Sequence, residues 1–191
     1  MQPIPPVPPT TAIPPVAAPQ QALSSAVSTA DFRNSMARLP GAVTVITTDG
    51  PAGIAGFTAS AVCSVTDSPP TVLVCMNRSS FAHRSFVDNG VLCVNVLGAA
   101  QQPLSALFAN REVSMDQRFA QTPWRARHSG APGLDGALVQ LDGHIVATHD
   151  VGTHSIFIVQ LAEIRLDDAA SAPCGLAYFD RRYHALGAAA A

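Results

Sequence analysis

Residues 53–81 read GIAGFTASAVCSVTDSPPTVLVCMNRSSF, and the way this stretch extends and turns decides the fold. Two runs of strand-forming residues flank the Pro69-Pro70 turn: a small, hydroxyl-rich run through Gly56, Phe57, Thr58, Ala59 and Ser60, and an apolar run over 71–76. In an extended chain Thr58, Ser60, Ser64 and Thr66 fall at period two, which predicts a polar ladder on one face. Gly53, Ala55, Gly56 and Ala59 carry little or no side chain, which predicts a smooth wall that a flat ring can approach. A polar corner, Asn77-Arg78-Ser79-Ser80, follows. Ser80 reads as the N-cap of a helix over 81–89 closed by Gly90, and the free amides of such a terminus, with Arg78 beside them, suit a phosphate.

The flanking chain supports a β fold. Upstream, 43–48 alternates and leads into Asp49-Gly50, a hairpin signal. Before it, 31–39 reads as an amphipathic helix with Phe32, Met36 and Leu39 on one face, stopped by Pro40-Gly41. Residues 1–30 are rich in Pro, Ala and Gln and predict a disordered tail, which leaves 31–191 as one domain. Downstream come an apolar strand over 91–97, a short helix over 101–110, and a loop-like stretch, 111–135, with Pro123, Gly130, Pro132 and Gly133. Over 138–148 alternation is strict and predicts one wet face carrying Gln140, Asp142, His144 and Thr148. Strands over 154–165 and 175–179 end the chain. About six or seven strands at hairpin spacing with only short helices predict a mainly β fold, an antiparallel barrel rather than a doubly wound sheet.

Composition narrows the function. The chain has 191 residues, 48% of them hydrophobic and only 13% charged, so its surface is poor in charge and a homo-oligomer is expected. A net charge of −2 and a pI of about 6.3, with 11 Lys and Arg scattered rather than striped, give no general attraction to nucleic acid or to an anionic membrane. Cys63, Cys75, Cys93 and Cys174 form no CxxC pair and read as reduced thiols of a cytoplasmic protein. There is neither a transmembrane run nor a basic, apolar leader of the secretory kind.

Several chemistries find no motif. No GxGxxG follows a strand, no GxxxxGK[ST] occurs, and no GxSxG elbow is present. His144, His149 and His154 recur every five residues, which on a strand alternates faces, so no metal site is expected. None of these motif-borne chemistries is therefore expected.

Five runs resemble a known family: GFTASAVCSVTDSPPTVLVCMNRSS, VLCVNVL, DQRFA, VGTHSIFIVQLAEI and YFDRRYHAL, in order from about Asp31 to Leu186. They are similar to the short-chain flavin reductases, the small components of two-component flavin-dependent monooxygenases, and most of all to the FMN reductase of the pyrimidine-utilisation system. The resemblance implies a homodimeric Greek-key split barrel that uses NADH to reduce FMN, with FAD possible, and passes reduced flavin to a separate monooxygenase. The reductase of an aromatic or halophenol hydroxylase, and a flavin-binding module without catalysis, are the alternative readings. By resemblance, Phe57, Thr58, Ala59, Ser60, Ser64 and Val65 lie along the flavin ring, and Asn77, Ser79, Ser80 and Phe81 along its ribityl and phosphate. Gly152 and His154 correspond to a nicotinamide-binding Gly-Asp-His in which Thr153 here replaces the acid, His154 being the catalytic candidate; Tyr183 lies near the flavin pocket. NADH is expected over NADPH because no Lys or Arg neighbours 152–154 in sequence, Arg181 and Arg182 being the only pair within reach.

Overall fold

The computed structural model describes residues 27–167 and 174–187. Most of the tail, 1–26, lies outside the described residues. The fold begins with α1 (Thr29–Met36), whose N-cap Ser28 accepts a hydrogen bond from the Asp31 N–H, two residues before the expected boundary at Asp31. The chain continues through β1 (Gly41–Ala42), β2 (Thr44–Thr48), β3 (Ala55–Ala59), β4 (Val62–Asp67), β5 (Pro70–Asn77), α2 (His83–Asn89) and β6 (Val91–Val96). A 3-10 turn (Ala99–Gln101) leads to α3 (Gln102–Ala109) and α4 (Met115–Ala120). Then come β7 (Trp124–Ala126), β8 (Pro132–Leu134), β9 (Val139–Val151), β10 (His154–Leu166), β11 (Gly175–Phe179) and β12 (Arg182–Leu186).

Seven of the strands form one antiparallel sheet in the order β3-β2-β6-β9-β10-β5-β4. β3 and β4 are its two edges, yet only Ser60 and Ala61 separate them in the chain. Two residues span roughly 10 Å at most, so the edges must meet at that end and the sheet rolls into a barrel split along the β3/β4 seam. The Cys75 N–H closes the corner by donating to the Ala61 carbonyl at 3.0 Å. β12, β11 and β1 make a small sheet alongside, and β7 pairs with β8.

β2 has no wet face: all five of its residues are buried. Ile46 faces the barrel interior with Val74, Met76, Phe86, Leu92, Val94 and Phe157. Val43 and Val45 face a second core with Leu97, Phe108, Phe119, Leu134 and Leu176. The buried threonines find main-chain acceptors: Thr44 Oγ1 donates to Ala59 O and Thr48 Oγ1 to Val91 O, both at 2.7 Å.

The structure corrects several expectations. The polar ladder does not exist as one face, because the strand breaks at Ser60-Ala61 and sends Ser64 and Thr66 to the opposite edge of the sheet. Gln140 and Asp142, expected in water, are buried. Gln140 Nε2 donates to Leu134 O, and Asp142 accepts from the N–H and Oγ of Ser129. Burial pushes the Asp142 carboxyl above its usual range, the Ser129 bonds opposing the rise. The stretch 111–135 is not a simple loop: it holds α4 with β7 and β8. Finally, β11 does not end the chain, since Asp180 and Arg181 at φ 46° and 60° turn it into β12.

Candidate functional site

The outer edge of β3 forms one wall of a cleft of about 420 Å³, within the range of small-molecule sites. Phe57, Thr58, Ala59, Ser60, Asn77, Ser79, Ser80, Phe81 and His154 all line it. The Gly56 carbonyl points outward, where Arg118 Nη1 donates to it at 3.2 Å. Alternate residues of an antiparallel strand direct their main chain to the same side, so the N–H and C=O of Thr58 face away from β2 as well. The Thr58 side chain donates to Ser105 O at 2.6 Å, fastening the strand to α3.

Other predicted residues lie elsewhere. Ser64 and Val65 are exposed on β4, outside the cleft. Tyr183 lines a neighbouring cavity of about 250 Å³ behind Thr58, Ala59 and Ser60, where its hydroxyl shares a 3.0 Å hydrogen bond with Ser105 Oγ and its ring meets Tyr178 edge to face. Gly152, at φ 55° in the β9–β10 turn, lines a second lobe. The smooth wall is also corrected. Gly53 sits in a turn at φ 81° and Ala55 is in the core, while a Cβ on Gly56 would lie 2.7 Å from the Phe108 ring. The glycine admits Phe108, not a ligand.

The polar corner differs from its expected form. α2 starts at His83, its N-cap position is Ala82, and no side chain caps it. The preceding turn is built on Asn77, whose Oδ1 accepts from both the N–H and Oγ of Ser79 at 2.8 Å and whose carbonyl accepts from the Ser80 N–H. Ser80 therefore is not a cap, and the amides of Ser79 and Ser80 are occupied. The Ser80 hydroxyl and the N–H groups of Phe81 and Ala82 remain without partners among the described residues. Gly90 closes α2 in the left-handed region as its position suggested.

Sequence reasoning gave Arg118 no place in the ring wall, and the structure makes it the brace of that wall. It is 2% exposed and has no carboxylate partner among the described residues. Nε donates to Val113 O, Nη1 to Gly56 O and Phe108 O, and Nη2 to Asn110 O, with the guanidinium carbon 5.7 Å from the centroid of the Phe81 ring. Burial lowers its pKa from the arginine value. A buried cation solvated only by carbonyls gives the cleft a positive floor. The signal that placed it was local: Ser114 and Gln117 form a capping box that starts α4. Cys75, also in the cleft, has its thiol pKa pushed up by burial.

The second lobe, of about 620 Å³, shares Asn77, Ser79 and His154 with the first and adds Arg33, Arg78, His83, Gly152 and Thr153. Cationic groups thus do gather around 152–154, brought from α1 and from the turn after β5. Arg181, by contrast, is engaged with Asn34 Oδ1. Thr153 Oγ1 lies 2.9 Å from His154 Nδ1 and sets the ring's orientation. Among the described residues no three His, Cys, Asp or Glu side chains gather to hold a metal ion.

Residues 36–187 match the flavin reductase like domain. The chain is 55% identical over 157 residues to the FMN reductase (NADH) RutF of Serratia proteamaculans (strain 568), covering 82% of this chain and 87% of that one. It is 52% identical over 159 residues to the protein of the same name from Variovorax paradoxus (strain S110), covering 83% and 86%. The fold superposes with a TM-score of 0.77 at 29% identity on BorF, the flavin reductase component of a bacterial two-component tryptophan halogenase, over 85% of this chain and 100% of that one.

Proposed function

The chain belongs to the flavin reductase-like family, and on that premise we propose that it is an NADH-dependent FMN reductase that delivers reduced flavin to a separate monooxygenase, of the pyrimidine-degrading kind. The observation that carries the reading is the edge strand β3, with outward main chain and hydroxyls lining a cleft that also takes in a buried cation, Arg118, and His154. The bound flavin supplies a ring that accepts a hydride from a nicotinamide. The main chain of Thr58 and Ser60 orients that ring. Arg118 favours negative charge in the cleft without donating a proton, and the Ser80 hydroxyl with the Phe81 and Ala82 amides can hold a phosphate. His154, with its Nδ1 against Thr153, stands where the two lobes join and can orient the incoming nicotinamide.

The preference for NADH rests on relatives of 52% and 55% identity that bear that name, not on a lack of charge near His154. Dimer formation is part of the reading. α1 buries none of its residues, its Phe32 and Met36 are exposed, and so are Tyr178, Phe179 and Leu186 of the small sheet. The Asp180 N–H, donating to Ala37 O, ties the end of α1 to the β11–β12 turn, so both sets of exposed apolar side chains are offered to a second copy. No helix among the described residues is long and apolar enough to cross a membrane, and the four cysteines are free thiols, which supports work in the cytoplasm.

The test is anaerobic oxidation of NADH on addition of FMN, followed by transfer of the reduced flavin to a monooxygenase. Turnover with NADH is expected. Tight FMN binding with no NADH oxidation would leave a flavin-binding module without catalysis.

A further inference from the structure

Behind the ring wall lies the cavity of about 250 Å³, walled by Tyr178 and Tyr183, by Val43 and Ala109 and by Ser105, with no charged side chain in its lining. Tyr178 and Tyr183 stand directly opposite each other on β11 and β12, their rings edge to face with centroids 5.3 Å apart, and Tyr178 is 37% exposed. The Tyr183 hydroxyl and Ser105 Oγ share one hydrogen bond of 3.0 Å, and neither has another acceptor among the described residues. Two hydroxyls carry two hydrogens, so one is left without an acceptor that the cavity itself provides. A ligand for this place is uncharged, lies against tyrosine rings and brings carbonyls.

Proline-rich chain has that chemistry. In the polyproline II form no carbonyl is used internally, and such chain docks in aromatic-lined grooves. The sequence 3–16, PIPPVPPTTAIPPV, holds seven prolines in fourteen residues, and no Asp, Glu, Lys, Arg or His stands before Asp31. It is also within reach. α1 is about 12 Å long, its far end is fastened to the β11–β12 turn by the Asp180 N–H on Ala37 O, and Tyr178 stands two residues before Asp180. The stretch 17–27 can span up to about 35 Å, more than α1 and that turn together.

We propose that the Tyr178–Tyr183 cavity is the docking site of the chain's own proline-rich segment, residues 3–16, with proline rings on the tyrosines and the spare hydroxyl donating to a main-chain carbonyl. Either copy of a dimer can supply the segment. Docked there, it backs Thr58 to Ser60 from the side away from the flavin, so the segment and the flavin are bound together. The experiment is photo-cross-linking of the full chain with benzoylphenylalanine in place of Tyr178, the cross-linked peptide being identified by mass spectrometry. A cross-link within 3–16 is expected. Cross-links to any other segment, including the strands of a second copy, or none at all, overturn the proposal. The control replaces the seven prolines of 3–16 by alanine in the same full chain, outside the folded domain, so the domain itself is untouched. Loss of the ring contacts and of the preformed conformation is expected to lower the cross-link yield about tenfold. An unchanged yield would mean that the segment is merely near, and it overturns the proposal as well. Saturating FMN is expected to leave the cross-link in place, an arm that rests on reading the first lobe as the flavin cleft. If FMN abolishes it, the segment lies in the flavin's place and the docking site is not this cavity. The arms without FMN need neither flavin nor turnover, so they stand or fall apart from the reductase reading.

Discussion

β3 and β4 are neighbours in the chain, similar in composition, and opposite in fate. Both are edges of the same sheet with a single strand partner, and both carry hydroxyls, Thr58 and Ser60 on or just after one, Ser64 and Thr66 on the other. β3 is covered: Phe108 packs on Gly56, Ser105 takes the Thr58 hydroxyl, and Arg118 takes the Gly56 carbonyl. β4 runs exposed along most of its length. The difference lies outside both strands, in α3 and α4, which lean over one edge and leave the other open. A hydroxyl-rich edge becomes a cleft only where something roofs it.

The largest effect should come from removing the brace. Arg118→Met fills similar space but leaves the carbonyls of Gly56, Phe108, Asn110 and Val113 without their donor. Each buried orphan costs about 1–3 kcal/mol, partly relieved by water, so a loss of about 3 kcal/mol or more is expected in urea unfolding, together with a large rise in KM for FMN. A loss under about 1 kcal/mol would mean that water replaces the guanidinium and that the roof is held by packing alone.

That roof also marks the limit of what the sequence discloses. The strands over 138–148 and 154–165 were legible as long runs, the first strictly alternating, and β11 because Gly175–Phe179 is a plain apolar strand. β12 was hidden by a turn that places Asp180 and Arg181, not glycines, at positive φ. In the site, Phe57 to Ser60, Asn77, Ser79 to Phe81 and His154 are brought to one cleft from three separate stretches. The capping box at Ser114 and Gln117 could have put Arg118 on a helix, but not against β3, since its four acceptors are main-chain atoms of other segments. Arg33 and Arg78 escaped for a related reason: they reach the β9–β10 turn only through the fold. Ser64 and Thr66 were put in one ladder with Thr58 and Ser60 because nothing in ASAVCSV announces the break at Ser60-Ala61.

A smaller effect tests the packing itself. Gly56→Ala places a methyl 2.7 Å from Phe108 Cε1 and 3.2 Å from the Ile46 carbonyl. The backbone acceptor cannot move far, so α3 must shift, at a cost of about 1–3 kcal/mol. Thermal unfolding should show it, with KM for FMN rising as the Thr58–Ser105 bond lengthens. If stability falls while KM holds, the roof tolerates movement that the cleft does not feel.

The smallest effect is expected on the open edge, and its size decides whether the cleft belongs to one chain. Ser64→Ala and Val65→Thr alter exposed side chains: Val65 is 50% exposed, and no hydrogen bond of the Ser64 hydroxyl is found among the described residues. Surface changes of this kind usually stay within about 0.5 kcal/mol, and if one chain holds the whole cleft, KM for FMN should stay within about twofold. An exposed strand edge is also a surface on which a second copy can pair or pack. In a dimer that laid β4 of one copy over the β3 cleft of the other, Ser64→Ala would raise KM for FMN while leaving the unfolding of dilute, dissociated protein unchanged. Measuring KM and unfolding over a range of protein concentrations separates the outcomes, because only a shared cleft makes the Ser64 effect grow with the fraction of paired chains.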